Sequence, residues 1–193
     1  MFRQYADGIK VVDSNGKSIV SEYSSVSEIK VSHGLIAFRK YHDGLMVYTD
    51  LGKKIVSEYS SIGDFWLTNS SVVLRKYTDG LMAYKIDGSK FVSEYSNIGD
   101  VKVTSSLIAF RKYSDGLMVF SADGRKILNE YSSINSFDAS GPYFAYIKSG
   151  SNLKVVRSDS SVVLSESGVS KFELRGRQVK FEKNGTEYIR NLR

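Results

Sequence analysis

The stretch FRKYHDGLMVY at residues 38–48 returns as LRKYTDGLMAY at 74–84 and as FRKYSDGLMVF at 110–120. The glycine of the Asp-Gly pair falls at Gly8, Gly44, Gly80 and Gly116, a constant step of 36 residues. A second marker keeps the same step: SEYSS from Ser21, SEYSS from Ser57, SEYSN from Ser93 and NEYSS from Asn129. A worn fifth copy runs from Tyr146 through SESG at 165–168, and a partial sixth begins near Phe181. A fixed period of this length marks a repeat architecture, in which each unit buries its faces against its neighbours.

Four short strands fit within one period. In the clearest copy DVKVTS (100–105) alternates apolar and polar residues, with Val101 and Val103 on one face, and SLIAFRKY (106–113) follows after almost no loop. Asp115-Gly116 then turns the chain into LMVFS (117–121), and Asp123-Gly124 turns it again into KILNEYS (126–132). Period-two alternation bounded by Asp-Gly predicts hairpins whose turns place the glycine at positive φ. No apolar recurrence at three and four residues, and no capping box, points to a helix. A single four-stranded sheet cannot cover both of its faces, and radial repetition of such antiparallel sheets is a β-propeller. An open β-solenoid of hairpins and a linear stack are the alternatives.

The copy IGDVKVTSSLIAFRKYSDGLMVFSADGRKILNEYSSI (98–134) resembles a short propeller blade whose second and third strands read Tyr-Val-Ala-Asp and Gly-Leu-X-Val-Ile-Asp. It is also similar to bacterial WG-type repeats, where a strand ending in Lys-X-Gly leads through a Gly-Lys turn to an Ile-X-X-X-Tyr strand. The Trp-Gly pair of those repeats is missing, and the sole tryptophan, Trp66, lies on another strand. The resemblance covers nearly the whole chain. It implies a propeller-like repeat and carries no catalytic residue across.

The N-terminus is expected to supply strands two to four of a unit (about 2–24), followed by complete units at 26–61, 62–97, 98–133 and 134–168 and by strands one to three at 169–193. Five four-stranded blades need fewer strands than this and six need more. The expectation is a single all-β propeller domain over 1–193 with five blades. SKFELRG (170–176) would pair beside the N-terminal strands to close the ring, leaving QVKFEKNGTEYIRNLR as an extra hairpin or an oligomer contact. Six blades with incomplete end blades is the competing count.

Composition narrows the chemistry. With 193 residues, 41% hydrophobic and 25% charged, the chain is in the range of folded domains, and 13 tyrosines and 10 phenylalanines favour strands. There is no cysteine, which removes disulfides, thiol nucleophiles and thiolate zinc sites. No apolar run approaches the roughly 18 residues of a membrane span, so no membrane insertion is expected. The opening MFRQYADGIKVV lacks a basic region followed by an apolar run, so a cytoplasmic location is the default expectation. A net charge of +6 is compatible with nucleic acid, anionic glycans or acidic proteins, without choosing among them.

In a propeller the loop between strands two and three shares a rim with the crossover to the next blade. The Arg-Lys-Tyr-X-Asp-Gly turns and the Tyr-Ser-Ser segments would therefore crowd one face. Arg39, Arg75 and Arg111 stand two residues before Tyr41, Tyr77 and Tyr113, which places each pair on one side of its strand. Arginine beside tyrosine suits stacking on sugars or bases and bidentate capture of anions. These six residues are the candidate ligand-binding positions. The competing structural reading pairs each arginine with a glutamate of the SEY strand, Glu58, Glu94 or Glu130, between blades. Asp43, Asp79 and Asp115 read as turn residues. His33 and His42 occupy slots where the other copies carry Asn, Ser, Thr or Ala, so neither a metal nor another cofactor is expected.

No Gly-X-Ser-X-Gly elbow occurs, and every carboxylate belongs to a repeated series or to a worn copy. The expectation is a non-catalytic interaction module that meets a protein partner or a glycan, with one equivalent surface per blade and avidity from repetition. A lectin-like multivalent carbohydrate binder is the first alternative. An enzyme is the second, with an asymmetric cleft around Lys148, Arg157, Glu166 and Glu173. Nucleic acid ranks lower, because the acids of the SEY and Asp-Gly series would blunt the basic potential. Self-association is left open.

Overall fold

A computed structural model of the chain describes residues 7–193. Of the three strands expected over about 2–24, the part before residue 7 lies outside the described residues. Two compact units divide the chain, Met1–Ser96 and Asn97–Arg193.

The first unit begins with a two-stranded sheet, β1 (Ile9–Val12) and β2 (Ser18–Glu22). Two four-stranded antiparallel sheets follow, each a meander in chain order. One contains β3 (Val26–Ser32), β4 (Leu35–Lys40), β5 (Gly44–Thr49) and β6 (Lys54–Glu58). The other contains β7 (Ile62–Leu67), β8 (Ser71–Lys76), β9 (Gly80–Lys85) and β10 (Lys90–Glu94). In the second unit the same order gives β11 (Ile98–Val103), β12 (Leu107–Lys112), β13 (Gly116–Ser121) and β14 (Lys126–Glu130), and then β15 (Ile134–Ser140), β16 (Tyr143–Lys148), β17 (Asn152–Arg157) and β18 (Val162–Glu166). The chain finishes with a three-stranded sheet of β19 (Val169–Arg175), β20 (Gln178–Lys183) and β21 (Thr186–Asn191).

The four whole sheets fall within the four units expected from the 36-residue period. At the C-terminus SKFELRG does not stand apart from the residues after it: β19 pairs with β20 and β20 with β21, so the expected extra hairpin continues the sheet of β19.

Strands two and three of the three sheets from β3 to β14 are buried along both faces, whereas β17 and β20 alternate buried and exposed residues. This explains why LIAF and GLMV read as continuous apolar runs rather than as alternation. Successive side chains serve different neighbours. From the sheet of β3–β6, Leu35, Ala37, Leu45 and Val47 pack against Phe65, Val72, Leu74 and Met82 of the next sheet. Ile36, Phe38, Met46 and Tyr48 face the other way, onto Ile9, Val11 and Val20. The second unit repeats this, with Leu107, Ala109, Leu117 and Val119 against Phe144, Tyr146 and Val156, and Ala145, Leu153 and Val155 against Leu174, Val179 and Phe181. Each fully buried Leu or Phe stabilises its stack by about 1.5–3 kcal/mol.

The two kinds of Asp-Gly turn differ. Between strands three and four, Gly88 and Gly124 have φ of 88° and 90°, the left-handed backbone that the hairpin signal predicts. Gly44, Gly80 and Gly116, between strands two and three, are not left-handed. A Cβ on Gly80 would stand 2.5 Å from the Lys76 carbonyl oxygen and 3.0 Å from that of Glu94, so this glycine answers to close backbone approach. The tyrosine of that turn takes positive φ, 55° at Tyr41 and 59° at both Tyr77 and Tyr113, and in the first turn His42 does so as well, at 80°. The sequence expectation had assigned that conformation to the glycine.

Candidate functional site

β4 ends in Arg39 and Lys40, adjacent residues that point to opposite faces. Both faces of the sheet meet a neighbour, so each cation reaches a different one. The Arg39 guanidinium donates from Nη1 to the Ile62 carbonyl at 2.7 Å and from Nη2 to the Gly63 carbonyl, both on β7 of the following sheet. Its Nε donates to Glu28 of its own sheet at 2.6 Å, and its centre lies 5.4 Å from the Phe65 ring centroid. Arg39 is 14% exposed. Arg111 repeats the arrangement, donating to the Ile134 carbonyl at 3.0 Å with its guanidinium 5.5 Å from Phe137. Arg75 occupies the corresponding place near the end of β8.

Lysine, not arginine, meets the glutamate of the SEY strand. Lys40 Nζ lies 2.7 Å from Glu22 and donates to the Ser24 carbonyl at 2.9 Å. Lys76 does the same with Glu58 at 2.8 Å and the Ser60 carbonyl at 2.9 Å. Lys148 pairs with Glu130 and Lys183 with Glu166, each at 2.8 Å. At Glu58 and Glu130 the expected glutamate contact is present with lysine in place of arginine, because strand alternation does not tell which face meets which neighbour.

Tyr41, Tyr77 and Tyr113 follow these lysines and leave the strand in the left-handed turn, so they do not share the arginine's side as a continued strand would require. Their backbone N–H groups donate to the carbonyls of Ser25, Ser61 and Asn97 on the crossovers. Their rings stand 5.0, 5.3 and 5.1 Å from the ammonium groups of Lys40, Lys76 and Lys112 and remain 53–55% exposed. A second tyrosine row, expected on this rim as part of the Tyr-Ser-Ser segments but not among the six candidate positions, comes from the SEY marker itself. Tyr23, Tyr59, Tyr95 and Tyr131 directly follow the last residue of strand four and are more than half exposed. The rings of Tyr41 and Tyr59 are 6.5 Å apart between centroids and tilted by 33°.

The aspartates hold the rim together. Asp43 accepts the Ser61 N–H at Oδ2 (2.8 Å) and the Ile62 N–H at its carbonyl (2.9 Å), and Asp115 does the same for Ser133 and Ile134. These bonds staple the crossover into the next sheet, 18 residues further along the chain, rather than closing the aspartate's own turn. The two loop types therefore lie on one rim. Beside Tyr41 a shallow depression of about 390 Å³ is lined by Asp7, Ser25, Val26, Ser27 and His42.

The residues of the catalytic alternative do not converge. Lys148 pairs with Glu130, Glu166 with Lys183, and Glu173 with Arg175, while Arg157 bonds Asp159 in its own turn. The Arg157 guanidinium, with the Ser161 hydroxyl, holds the Asp159 carboxyl far below the usual carboxylate range. His33 bonds its neighbour Ser32. Among the described residues no group of three or more His, Cys, Asp or Glu side chains is placed to hold a metal ion. No helix among them is long and apolar enough to cross a membrane.

A sequence model of a protein family, described as a 10-bladed beta propeller domain, matches residues 1–189. The structure of Hsv2 from Kluyveromyces lactis superposes with a TM-score of 0.50 at 14% identity, covering 97% of this chain and 69% of that one. A eukaryotic initiation factor gives a TM-score of 0.51 at 13% identity over 86% of this chain, which spans about half (52%) of that protein's length. At such identities the likeness is one of fold. No curated protein sequence matches.

Proposed function

This chain belongs to the family of 10-bladed β-propeller domains, and we propose that it is a non-catalytic binding module offering one equivalent surface per intact repeat. The carrying observation is the division of labour within Arg-Lys-Tyr. Both cations are engaged by carbonyls and carboxylates of their own and neighbouring sheets, whereas the tyrosine that follows is exposed although its backbone is strained. A left-handed φ costs an ordinary side chain about 1–2 kcal/mol, and it recurs at Tyr41, Tyr77 and Tyr113. In the candidate set Arg39, Arg75 and Arg111 are the struts, and Tyr41, Tyr77 and Tyr113 the contacts. Near-identical copies suit a multivalent partner, since each further contact is made at a high effective concentration. The proposal keeps the ring at five blades, four whole sheets and one drawn from the terminal strands. Six is the competing count, given that β1–β2 and β19–β21 already form separate sheets.

The test compares the immobilised chain with a Tyr41→Asn/Tyr77→Asn/Tyr113→Asn variant in extracts of the source organism, reading retained macromolecules by mass spectrometry. Asparagine tolerates the left-handed backbone. The native chain should retain material that the variant loses; equal retention would remove the tyrosines from any binding role.

A further inference from the structure

We propose that each tyrosine-bearing repeat forms a subsite for a neutral sugar ring, with the two exposed tyrosines as its platform and the crossover hydroxyls beside it. This rests on the binding-module reading above and names the ligand class.

The tyrosine pair is not needed to build the sheet. In the repeat of β15–β18 the positions of Tyr113 and Tyr131 are taken by Ser149 and Ser167, so both rings are absent together. The Lys148 to Glu130 pair nevertheless forms at 2.8 Å, as Lys76 to Glu58 does beneath Tyr77. The Ser149 N–H still bonds the Ser133 carbonyl at 2.8 Å, as the Tyr77 N–H bonds that of Ser61. What changes is cover: the Lys148 side chain is 41% exposed, against 10% for Lys76. The lysine pair and the crossover bond thus form without the rings, with the left-handed backbone of this turn moved to Gly150 and Ser151.

The chemistry of the surface selects the ligand. Single-stranded nucleic acid needs free cations for its phosphates as well as stacking faces. Here the Lys40 ammonium is held by Glu22 and the Ser24 carbonyl, and the Arg39 guanidinium by two carbonyls and Glu28. Acidic glycans and acidic peptides meet the same obstacle. A polyproline segment presents the same face once per turn, about 9 Å, whereas the Tyr41 and Tyr59 rings are 6.5 Å apart. Their 33° tilt leaves no parallel slot for a flat ring between them. A neutral pyranose needs an aromatic face for its C–H groups, with polar groups at the edge for its hydroxyls. The depression beside Tyr41 provides that edge in Ser25, Ser27, Asp7 and His42. The Tyr77 with Tyr95 and Tyr113 with Tyr131 pairs hold the same places in their sheets, and the partner position of Tyr23, Tyr5, lies outside the described residues.

The experiment is calorimetric titration of the full chain with maltohexaose, cellohexaose and mannohexaose. At least one should saturate with three or four equivalent sites and little loss when ionic strength is raised about tenfold, since no charge pair is formed. Tyr77→Asn with Tyr95→Ser, which copies residues the chain already uses at such places, should remove one site while leaving the melting temperature within about 3 °C of the native chain. Failure of all three sugars to saturate overturns the inference, as does an unchanged site number in a folded variant. If the sugars fail while retention from extracts still depends on the tyrosines, the sugar assignment falls alone; if retention is indifferent as well, the binding-module reading falls with it.

Discussion

Glu58→Ala and Glu130→Ala remove the same carboxylate from the same place in two repeats, and they should differ several-fold in cost. Each glutamate meets its lysine at 2.8 Å, so the bond itself is matched. The surroundings are not. The Lys76 side chain is 10% exposed under the Tyr77 ring, and Glu58 also accepts from the Tyr84 hydroxyl at 3.4 Å. Lys148 lacks that ring. Stranding one charge of a fully buried pair costs about 3–5 kcal/mol. Lys76 keeps the Ser60 carbonyl, and its Glu58 partner is itself 27% exposed, which brings the expected loss to about 2 kcal/mol. The exposed Lys148 is resolvated, so Glu130→Ala should cost about 0.5 kcal/mol. For a chain of this length these figures correspond to falls of about 4–8 °C and about 1–2 °C in melting temperature. Urea unfolding followed by circular dichroism would measure both, with an unchanged denaturant slope confirming that stability alone has moved. Equal losses from the two variants would refute burial as the controlling factor.

Two further outcomes follow from the turns and from the arginine. Gly80→Ala should lose at least about 2 kcal/mol, because its new methyl meets backbone oxygen at 2.5 Å, whereas Gly88→Ala, with open space around it, should lose only the roughly 1–2 kcal/mol of its left-handed φ. Similar values in urea unfolding would mean that the rim glycines serve φ after all. Partial burial pushes the Glu28 carboxyl up, but bonds from Arg39 and Lys30 outweigh it and hold the group below its ordinary value of 4.5. A carboxyl lowered on folding stabilises fully above that value, and the contribution is lost as pH falls through the folded pKa. Glu28→Gln should therefore flatten the acid limb of stability below about pH 4.5 and leave the slope near pH 7 unchanged; an acid limb identical to that of the native chain would exclude this link.

The repeat was legible because 36-residue spacing and period-two alternation are local signals that the packing then obeys. The propeller's double-faced burial shows in the same way, as unbroken apolar runs at LIAF and VVL. The rim was harder to read. Arg39 and Lys40 are both cations on a strand with two buried faces, and only the stacking order decides that the arginine reaches forward to Ile62 while the lysine reaches back to Glu22. The left-handed turn at Tyr41 carries no propensity signal, since tyrosine does not favour that backbone and the following Asp-Gly looks like a sufficient turn by itself. Tyr59 could be placed on the rim from the Tyr-Ser-Ser segment but not singled out, since as part of SEYSS it served as a ruler for the period and its exposure follows only from its place just past the end of β6.

Arg39 and Tyr41 are two residues apart in sequence, and their opposite fates are the central claim for the rim. Side-chain footprinting of the native chain, with phenylglyoxal for arginine and tetranitromethane for tyrosine, reads both by peptide mass spectrometry. Tyr41 and Tyr59 should be nitrated quickly while the buried Tyr143 and Tyr146 are spared. Arg39 should stay protected while the exposed Arg177 reacts. Arg39 labelling at the rate of Arg177 would show that the arginine faces solvent and a partner rather than the neighbouring sheet.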